Sequence, residues 1–201
     1  SNLFKKIIPN INYISKNIKI PKKNKKIKIG FISEFLTNHT IGRIFEGLIK
    51  NLNRKKFEIL VFHTAQTKKG LLKDEIDSSV NKVVDLPNKI IDQHQLIEKE
   101  NLDILFYTDI GMSPTTYFLA YSRLSPVQIV SWGHTETTGI DTIDYFLSST
   151  LFEANIQKNN YSERLICLNQ IPTYYEPKKN IDPNKNRHDL NLPENSNLYG
   201  C

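Results

Sequence analysis

The sequence predicts an α/β fold built on a doubly wound parallel sheet with flanking helices. Nearly continuous apolar runs, IKIGFIS (27–33), FEILVFH (57–63) and DILFYTD (103–109), have the composition of strands buried on both faces. Polar or amphipathic stretches of helical length separate them, the alternation of strand–helix–strand crossovers. Right-handed crossovers then bring ligands to the strands' carboxyl ends.

The first strand, 27–33, contains Gly30. Ile41, Ile44, Phe45, Leu48, Ile49 and Leu52 follow at the spacing of one apolar helical stripe, with Thr40 at its N-cap position. FEILVFH is the second strand. Residues 70–80 read as a polar helix, KVVDL (82–86) as a short strand and 89–100 as an amphipathic helix. After the strand at 103–109, a helix runs over 113–124 from Pro114. VQIVSWG (127–133), DYFLSS (144–149) and RLICL (164–168) complete the strands. Beyond residue 172, Pro172, Pro177 and Pro183 stand among Lys and Asn as a linker, and NLYGC (197–201) reads as the opening of another buried strand. The expected organisation is a basic leader (1–26), one α/β unit (27–172), a linker (173–196) and the start of a second domain (197–201).

The 201 residues are 39% hydrophobic, enough for a real core, and contain no apolar run of membrane-spanning length. The net charge of +6 is uneven. Nine of the 27 Lys and Arg lie in residues 1–28, which hold none of the 21 acidic groups, so the remainder carries about −3. A basic leader can meet nucleic acid or an anionic membrane. Its aromatics, Phe4 and Tyr13, form no stacking platform, and a solvated linker in a Lys-, Ile- and Asn-rich chain accounts for it, so neither partner is expected. No secretory signal is present, and Cys167 and Cys201 lack CxxC spacing, as suits free thiols in a reducing, cytoplasmic compartment.

The first strand-to-helix turn lacks GxGxxG, and the chain contains no GxxxxGK[ST], GxSxG or HExxH, so nicotinamide, P-loop, hydrolase and zinc-protease chemistries find no motif. No two His share an i, i+4 spacing and no His/Cys cluster suggests a metal. No cofactor is expected. Three clusters fall at strand carboxyl ends: 34–40, 108–112 and 133–139. His39 precedes a helix N-terminus, which disfavours imidazolium, so a neutral ring there can accept a hydroxyl proton or hold a polar substrate, or be only a turn residue. His134 has the same alternatives. Gly133 and Gly139 allow close backbone approach, and Thr137 and Thr138 with helix-start N–H groups can hold phosphate or sugar oxygens. Asp109 is either a ligand-facing carboxylate or a helix cap. His63, His94 and His188 read as structural or solvated, and Tyr117, Phe118 and Tyr121 as helix packing.

At these same positions the sequence resembles a known family. IGFISEFLTNHTIGRIFEGLIKNL (29–52), DILFYTDIGMSPTTYFLAYSRLSPVQIVSWGHTETTGIDTIDYFLSS (103–149) and YSERLICL (161–168) are similar to the catalytic region of O-linked N-acetylglucosamine transferases and their SPINDLY-like relatives. The likeness covers roughly residues 27–201. It implies a GT-B architecture of two Rossmann-like lobes facing across a cleft, of which this chain supplies the N-terminal one. It further implies upstream tetratricopeptide repeats, a nucleotide-sugar donor, UDP-linked first of all, a polypeptide acceptor, and inverting, metal-independent transfer.

By position, His39 matches the family's active-site His, flanked by Asn38 and Thr40. Trp132, Gly133 and His134 match the Gly-containing turn facing the donor sugar, and Thr137, Thr138 and Gly139 its Thr/Ser-Gly end. The sequence departs from the pattern at Phe35, where many relatives carry Asp, with Glu34 beside it, and at Thr135, near which relatives place Pro. The resemblance thus implies transfer of N-acetylglucosamine to a Ser/Thr hydroxyl, with the fragment inactive without its other lobe. The alternatives are a different donor sugar, fucose or an N-linked hexose, and a non-catalytic Rossmann-like binding module.

Overall fold

In the computed structural model, which describes residues 2–18, 26–134, 136–153, 160–175 and 184–199, seven strands form one all-parallel sheet. They are β1 (Ile27–Ser33), β2 (Phe57–His63), β3 (Lys82–Asp85), β4 (Ile104–Tyr107), β5 (Val127–Val130), β6 (Tyr145–Ser149) and β7 (Arg164–Leu168). Their order is β3-β2-β1-β4-β5-β6-β7. The chain winds outward from β1 in one direction through β3, then returns to start again at β4, so the β1–β4 boundary is the topological switch point. The register Phe31↔Val61 and Phe31↔Phe106 aligns the apolar centres of β1, β2 and β4.

Helices α1 (Asn2–Ile7), α2 (Thr40–Asn51), α3 (Leu71–Ser79), α4 (Ile90–Lys99) and α5 (Pro114–Leu119) accompany the strands. Successive strand residues point to opposite faces, and both faces are covered. Phe31, Ile59, Val61 and Phe106 pack with Ile41, Phe45 and Ile49 of α2 and Ile76 of α3. Ile32, Leu60, Phe62, Leu105 and Tyr107 pack on the other side with Ile97 of α4 and Leu119 of α5. The near-continuous apolar runs follow directly from this double burial. The helix predicted to reach residue 124 ends at Leu119, because the N–H groups of Tyr121 and Ser122 turn to carbonyls three residues back.

The described part of the leader, residues 2–18, is not a solvated linker. Ile11 is fully buried within the core cluster shared with Leu119, Tyr121 and Leu124. Tyr13 and Ser15 exchange backbone hydrogen bonds with Arg123 (2.9 and 2.8 Å), and Phe4 packs edge-on against Phe118 at 5.5 Å. Glu98 of α4 accepts from the hydroxyls of Tyr13 (2.8 Å) and Ser15 (3.0 Å) and from the Lys16 N–H. The net positive charge concealed these few apolar anchors. His94 is buried, the structural one of its two alternatives: it stacks flat on Tyr13 at 4.6 Å, and its Nε2 meets Ser122 Oγ at 2.9 Å. Burial holds its pKa down, at about 4. At the other end Asn197–Tyr199 are irregular and exposed, and Gly200 and Cys201 lie outside the described residues. No helix among the described residues is long and apolar enough to cross a membrane.

Candidate active site

β1, β4 and β5 are consecutive neighbours, so their carboxyl ends lie within about 10 Å, two strand spacings, of one another. The loops leaving them carry the three clusters. After β1 the chain runs through residues 34–39 into α2. The helix cap is His39 and not Thr40: His39 is extended (φ −133°, ψ 161°) and its Nδ1 accepts from the Ile41 N–H at 3.2 Å, whereas Thr40 is already the first helical residue. Imidazole places an acceptor at the reach of an Asp or Asn cap. That bond also assigns the neutral tautomer, because an Nδ1 that accepts carries no proton, so the proton sits on Nε2. Phe35 packs its ring on that of His39 (centroids 4.6 Å apart), so the position four residues before His39 supplies a hydrophobic contact.

Asn38 is committed elsewhere. Its Oδ1 accepts from the Leu72 N–H at 2.9 Å and so caps the start of α3, whose own N-cap residue is Gly70. Thr40 is exposed at the mouth of the loop.

Asp109 closes the switch point from the β4 side. It is fully buried, and its Oδ2 accepts from Ser33 Oγ (3.0 Å) and the Glu34 N–H (2.9 Å), tying the ends of β1 and β4 together. The Thr116 hydroxyl favours the anion from nearby, yet its proton goes to the Ser113 carbonyl (3.3 Å). That leaves Asp109 Oδ1 without a hydrogen bond among the described residues. Burial pushes the Asp109 pKa up to about 6, helped by the neighbouring Glu34 charge and opposed by the Glu34 N–H and the Thr116 and Ser33 hydroxyls. Glu34 itself accepts from Ser113 Oγ at 2.6 Å. A buried carboxyl with a perturbed pKa at a sheet switch point is a functional candidate on physical grounds.

The third cluster follows β5, which stops at Val130 instead of continuing to 133. Trp132 donates from Nε1 to Ser148 Oγ (3.1 Å) and meets Phe152 edge-on at 5.1 Å. Gly133 is required by packing: a Cβ there would lie 1.7 Å from the carbonyl oxygen of Thr108, the residue that follows β4. His134 is exposed, with its ring over Gly111. Gly139 adopts φ +64° with open space around it, the left-handed conformation that favours glycine. Thr135 lies outside the described residues.

Among the described residues no helix starts at this turn, so it lacks the expected helix-start N–H groups. The Thr137 and Thr138 hydroxyls are already taken, both by Glu163. Nothing in the sequence singles out Glu163 and Ser162, because a Glu at the start of an edge strand ordinarily faces water and a 25-residue separation does not announce the contact. Among the described residues no group of three or more His, Cys, Asp or Glu is arranged to hold a metal ion.

The sequence profile of glycosyl transferase family 41 matches residues 5–176. The chain belongs to that family. The match begins within the packed leader, in agreement with its burial in the core. Among curated relatives, the Arabidopsis thaliana "probable UDP-N-acetylglucosamine--peptide N-acetylglucosaminyltransferase SEC" is 22% identical over 184 residues, which cover 88% of this chain and 19% of that protein. The Actinobacillus pleuropneumoniae "UDP-glucose:protein N-beta-glucosyltransferase" is 23% identical over 172 residues, 79% of this chain and 26% of that one. A solved structure of a mutant O-GlcNAc transferase from Thermobaculum terrenum superposes with a TM-score of 0.74 at 20% identity, covering 86% of this chain and 33% of that one. The fold is therefore that of a Rossmann-like lobe of this glycosyltransferase family, and the chain spans about a fifth to a third of the length of these relatives.

Proposed function

We propose that the chain supplies the N-terminal lobe of a two-lobed, inverting, metal-independent glycosyltransferase, which moves a sugar from a UDP-linked donor to a hydroxyl of a polypeptide. The observation that carries this reading is the meeting of the His39 cap after β1, the buried Asp109 carboxyl after β4 and the close approach of Gly133, after β5, to Thr108, all at the carboxyl ends of adjacent strands, in a chain of glycosyl transferase family 41. The names of the relatives make N-acetylglucosamine the first donor sugar to test, and glucose the second.

In the transfer, the acceptor oxygen bonds to the anomeric carbon as the bond from that carbon to the diphosphate breaks, and the acceptor's hydroxyl proton leaves with the departing diphosphate. His39 is suited to the orienting part of this chemistry: with Nδ1 engaged by Ile41, Nε2–H donates to an acceptor or sugar oxygen and holds it in line. The 133–139 turn faces the uncharged sugar ring. The cationic groups that neutralise a departing diphosphate come from the second lobe, so the chain by itself is inactive.

The full-length gene product, given UDP-N-acetylglucosamine or UDP-glucose and a panel of polypeptide acceptors, is expected to transfer label, and residues 1–201 alone are not. H39A is expected to lower kcat about a hundredfold or more, the scale of a lost positioned proton donor. Unchanged turnover in H39A, or robust transfer by residues 1–201 alone, would overturn this reading.

A further inference from the structure

The loop that leaves β2, residues 64–70, is tied to the carboxyl end of β1. The Thr64 N–H and Thr67 Oγ1 both donate to the Ser33 carbonyl (3.4 and 3.3 Å), and the Thr67 N–H donates to the Thr64 carbonyl at 3.0 Å. Ser33 is also the residue whose hydroxyl holds Asp109 across the switch point. At the far end of the loop, a Cβ on Gly70 would lie 2.9 Å from Asn38 Oδ1, the oxygen that accepts from the Leu72 N–H. A Cβ on Gly42, in the first turn of α2, would lie 3.1 Å from a methyl of Leu72. The starts of α2 and α3 therefore touch, and the 64–70 loop runs beside the stretch that ends in His39.

The surface of this junction is cationic. Lys68 and Lys69 are exposed on the loop, and Arg43 is exposed in the first turn of α2. Elsewhere Lys28, Lys50, Lys73, Lys82 and Arg123 each hold a carboxylate, whereas Arg43, Lys68 and Lys69 hold none among the described residues. One exposed acid, Asp74, lies in the first turn of α3, so three cations against it leave +2. Glu34, at the other end of the 34–39 stretch, is engaged on the β4 side by Ser113 Oγ. Leu71, 77% exposed, adds an apolar side chain next to the lysines.

Separate point charges on exposed stems suit carboxylates spread along a flexible chain, while a diphosphate calls for cations that converge on one small group. An exposed Leu among them serves a polypeptide and not a diphosphate. Gly70 adjoins Asn38 and Asn38 precedes His39, so an extended acceptor with its modified residue at His39 reaches the junction within two to four residues, about 7–13 Å.

We propose that Arg43, Lys68 and Lys69 select acidic acceptors, holding Asp or Glu side chains two to four residues away from the one that is modified. This rests on the reading in which the full-length protein glycosylates polypeptides and His39 orients the acceptor oxygen. The three cations bind the acceptor and take no part in the transfer step.

Steady-state kinetics of the full-length gene product test this. A peptide that accepts sugar, taken from the acceptor panel, is remade in two forms, with Glu or with Gln at the second to fourth positions from the modified Ser or Thr. The variants are K68Q/K69Q, K68E/K69E, R43Q and, as a control, K55Q/K56Q. Lys55 and Lys56 are exposed and without an acidic partner among the described residues, but they precede β2 and so lie at the opposite edge of the sheet. In wild type the KM for the Glu peptide is expected about three- to tenfold below that for the Gln peptide, the scale of two or three exposed ion pairs. The gap narrows as ionic strength rises from about 0.05 to 0.5 M. K68Q/K69Q closes most of it, K68E/K69E reverses it, R43Q narrows it and K55Q/K56Q leaves it in place. The UDP-sugar KM of K68Q/K69Q, and its kcat at saturating peptide, stay within twofold of wild type.

Equal KM values for the two peptides in wild type, or an undiminished preference in K68Q/K69Q, overturn the proposal and leave the functional reading intact. So does the same loss in K55Q/K56Q, which marks an effect of net charge alone, or a parallel rise in the UDP-sugar KM of K68Q/K69Q, which marks a diphosphate site. A wild-type protein that transfers sugar to no polypeptide of the panel overturns the functional reading and this proposal with it.

Discussion

Replacing Asp109 by Asn tests whether the carboxylate at the switch point is held there against its preference. Burial raises its pKa from 3.8 to about 6. A carboxyl with a raised folded pKa binds more protons folded than unfolded. Its contribution therefore favours the fold fully below pH 3.8 and is lost as pH rises through about 6. A shift of roughly two units corresponds to ~3 kcal/mol. The Asn amide has the same shape, keeps an oxygen to accept from Ser33 Oγ and the Glu34 N–H, and does not ionise. D109N is expected to gain on wild type by ~3 kcal/mol as pH is raised across this window, and to show no net gain at its acid end. For a chain of this size, the difference between the two urea midpoints moves by about 1 M, readable from the fluorescence of the single Trp132. The comparison has to be made between the two proteins. His94 runs the other way: burial lowers its pKa from 6.5 to about 4, so its share of stability is present above pH 6.5 and is lost as pH falls through about 4. In wild type alone the two slopes oppose each other. Parallel stability curves for wild type and D109N over the whole range would refute the placement of a strained, titrating carboxyl at this position.

H94F keeps a ring against Tyr13 but removes one of the two partners of Ser122 Oγ, which still donates to the Ile11 carbonyl. It should destabilise by about 1–3 kcal/mol at neutral pH and by less as pH falls, which urea melts at two pH values will show. G133A drives a Cβ to 1.7 Å from the Thr108 carbonyl oxygen and should cost several kcal/mol or prevent folding. G139A, with φ +64° but open surroundings, should cost only about 1 kcal/mol, so the two glycines separate clearly in thermal melts. I11A should destabilise by about 2–5 kcal/mol through the cavity it leaves, a loss that a solvated linker would not produce.

The fold was legible because double burial leaves a simple mark: strands covered on both faces are apolar throughout, and β1, β2 and the core of β4 stood out on that ground alone. The site was legible in position but not in the duties of its members. Chain order and strand ends locate His39, Asp109 and Gly133, since a parallel sheet brings its carboxyl ends to one edge. Which atom serves the fold and which is left for a ligand depends on pairings across the sequence: Asn38 to Leu72, Asp109 to Ser33, Thr138 to Glu163. No periodicity encodes such pairs. The packed leader was hidden for a related reason. Lysines dominate its composition, while its attachment depends on Ile11, Tyr13 and the backbone of residues 13–15 meeting Arg123.

On the proposed reading, the groups left free at the switch point divide the work of transfer between this lobe and a second one. Oδ1 of Asn38, Oδ2 of Asp109 and the hydroxyls of Thr137 and Thr138 are all engaged inside the lobe. Nε2–H of His39 is left with a proton to give, and close by stand the carboxyls of Glu34 and Asp109. A neutral, hydroxyl-rich ring finds a donor there and loses little by being near those acids. A diphosphate brought there meets the like charge of Glu34 and Asp109. On the proposed reading, a donor that sets its sugar over this lobe has its diphosphate held by cations from outside the lobe. On this division, H39A in the full-length protein lowers kcat and leaves the inhibition constant of UDP unchanged, whereas a lobe that held the diphosphate itself would lose turnover and UDP binding together.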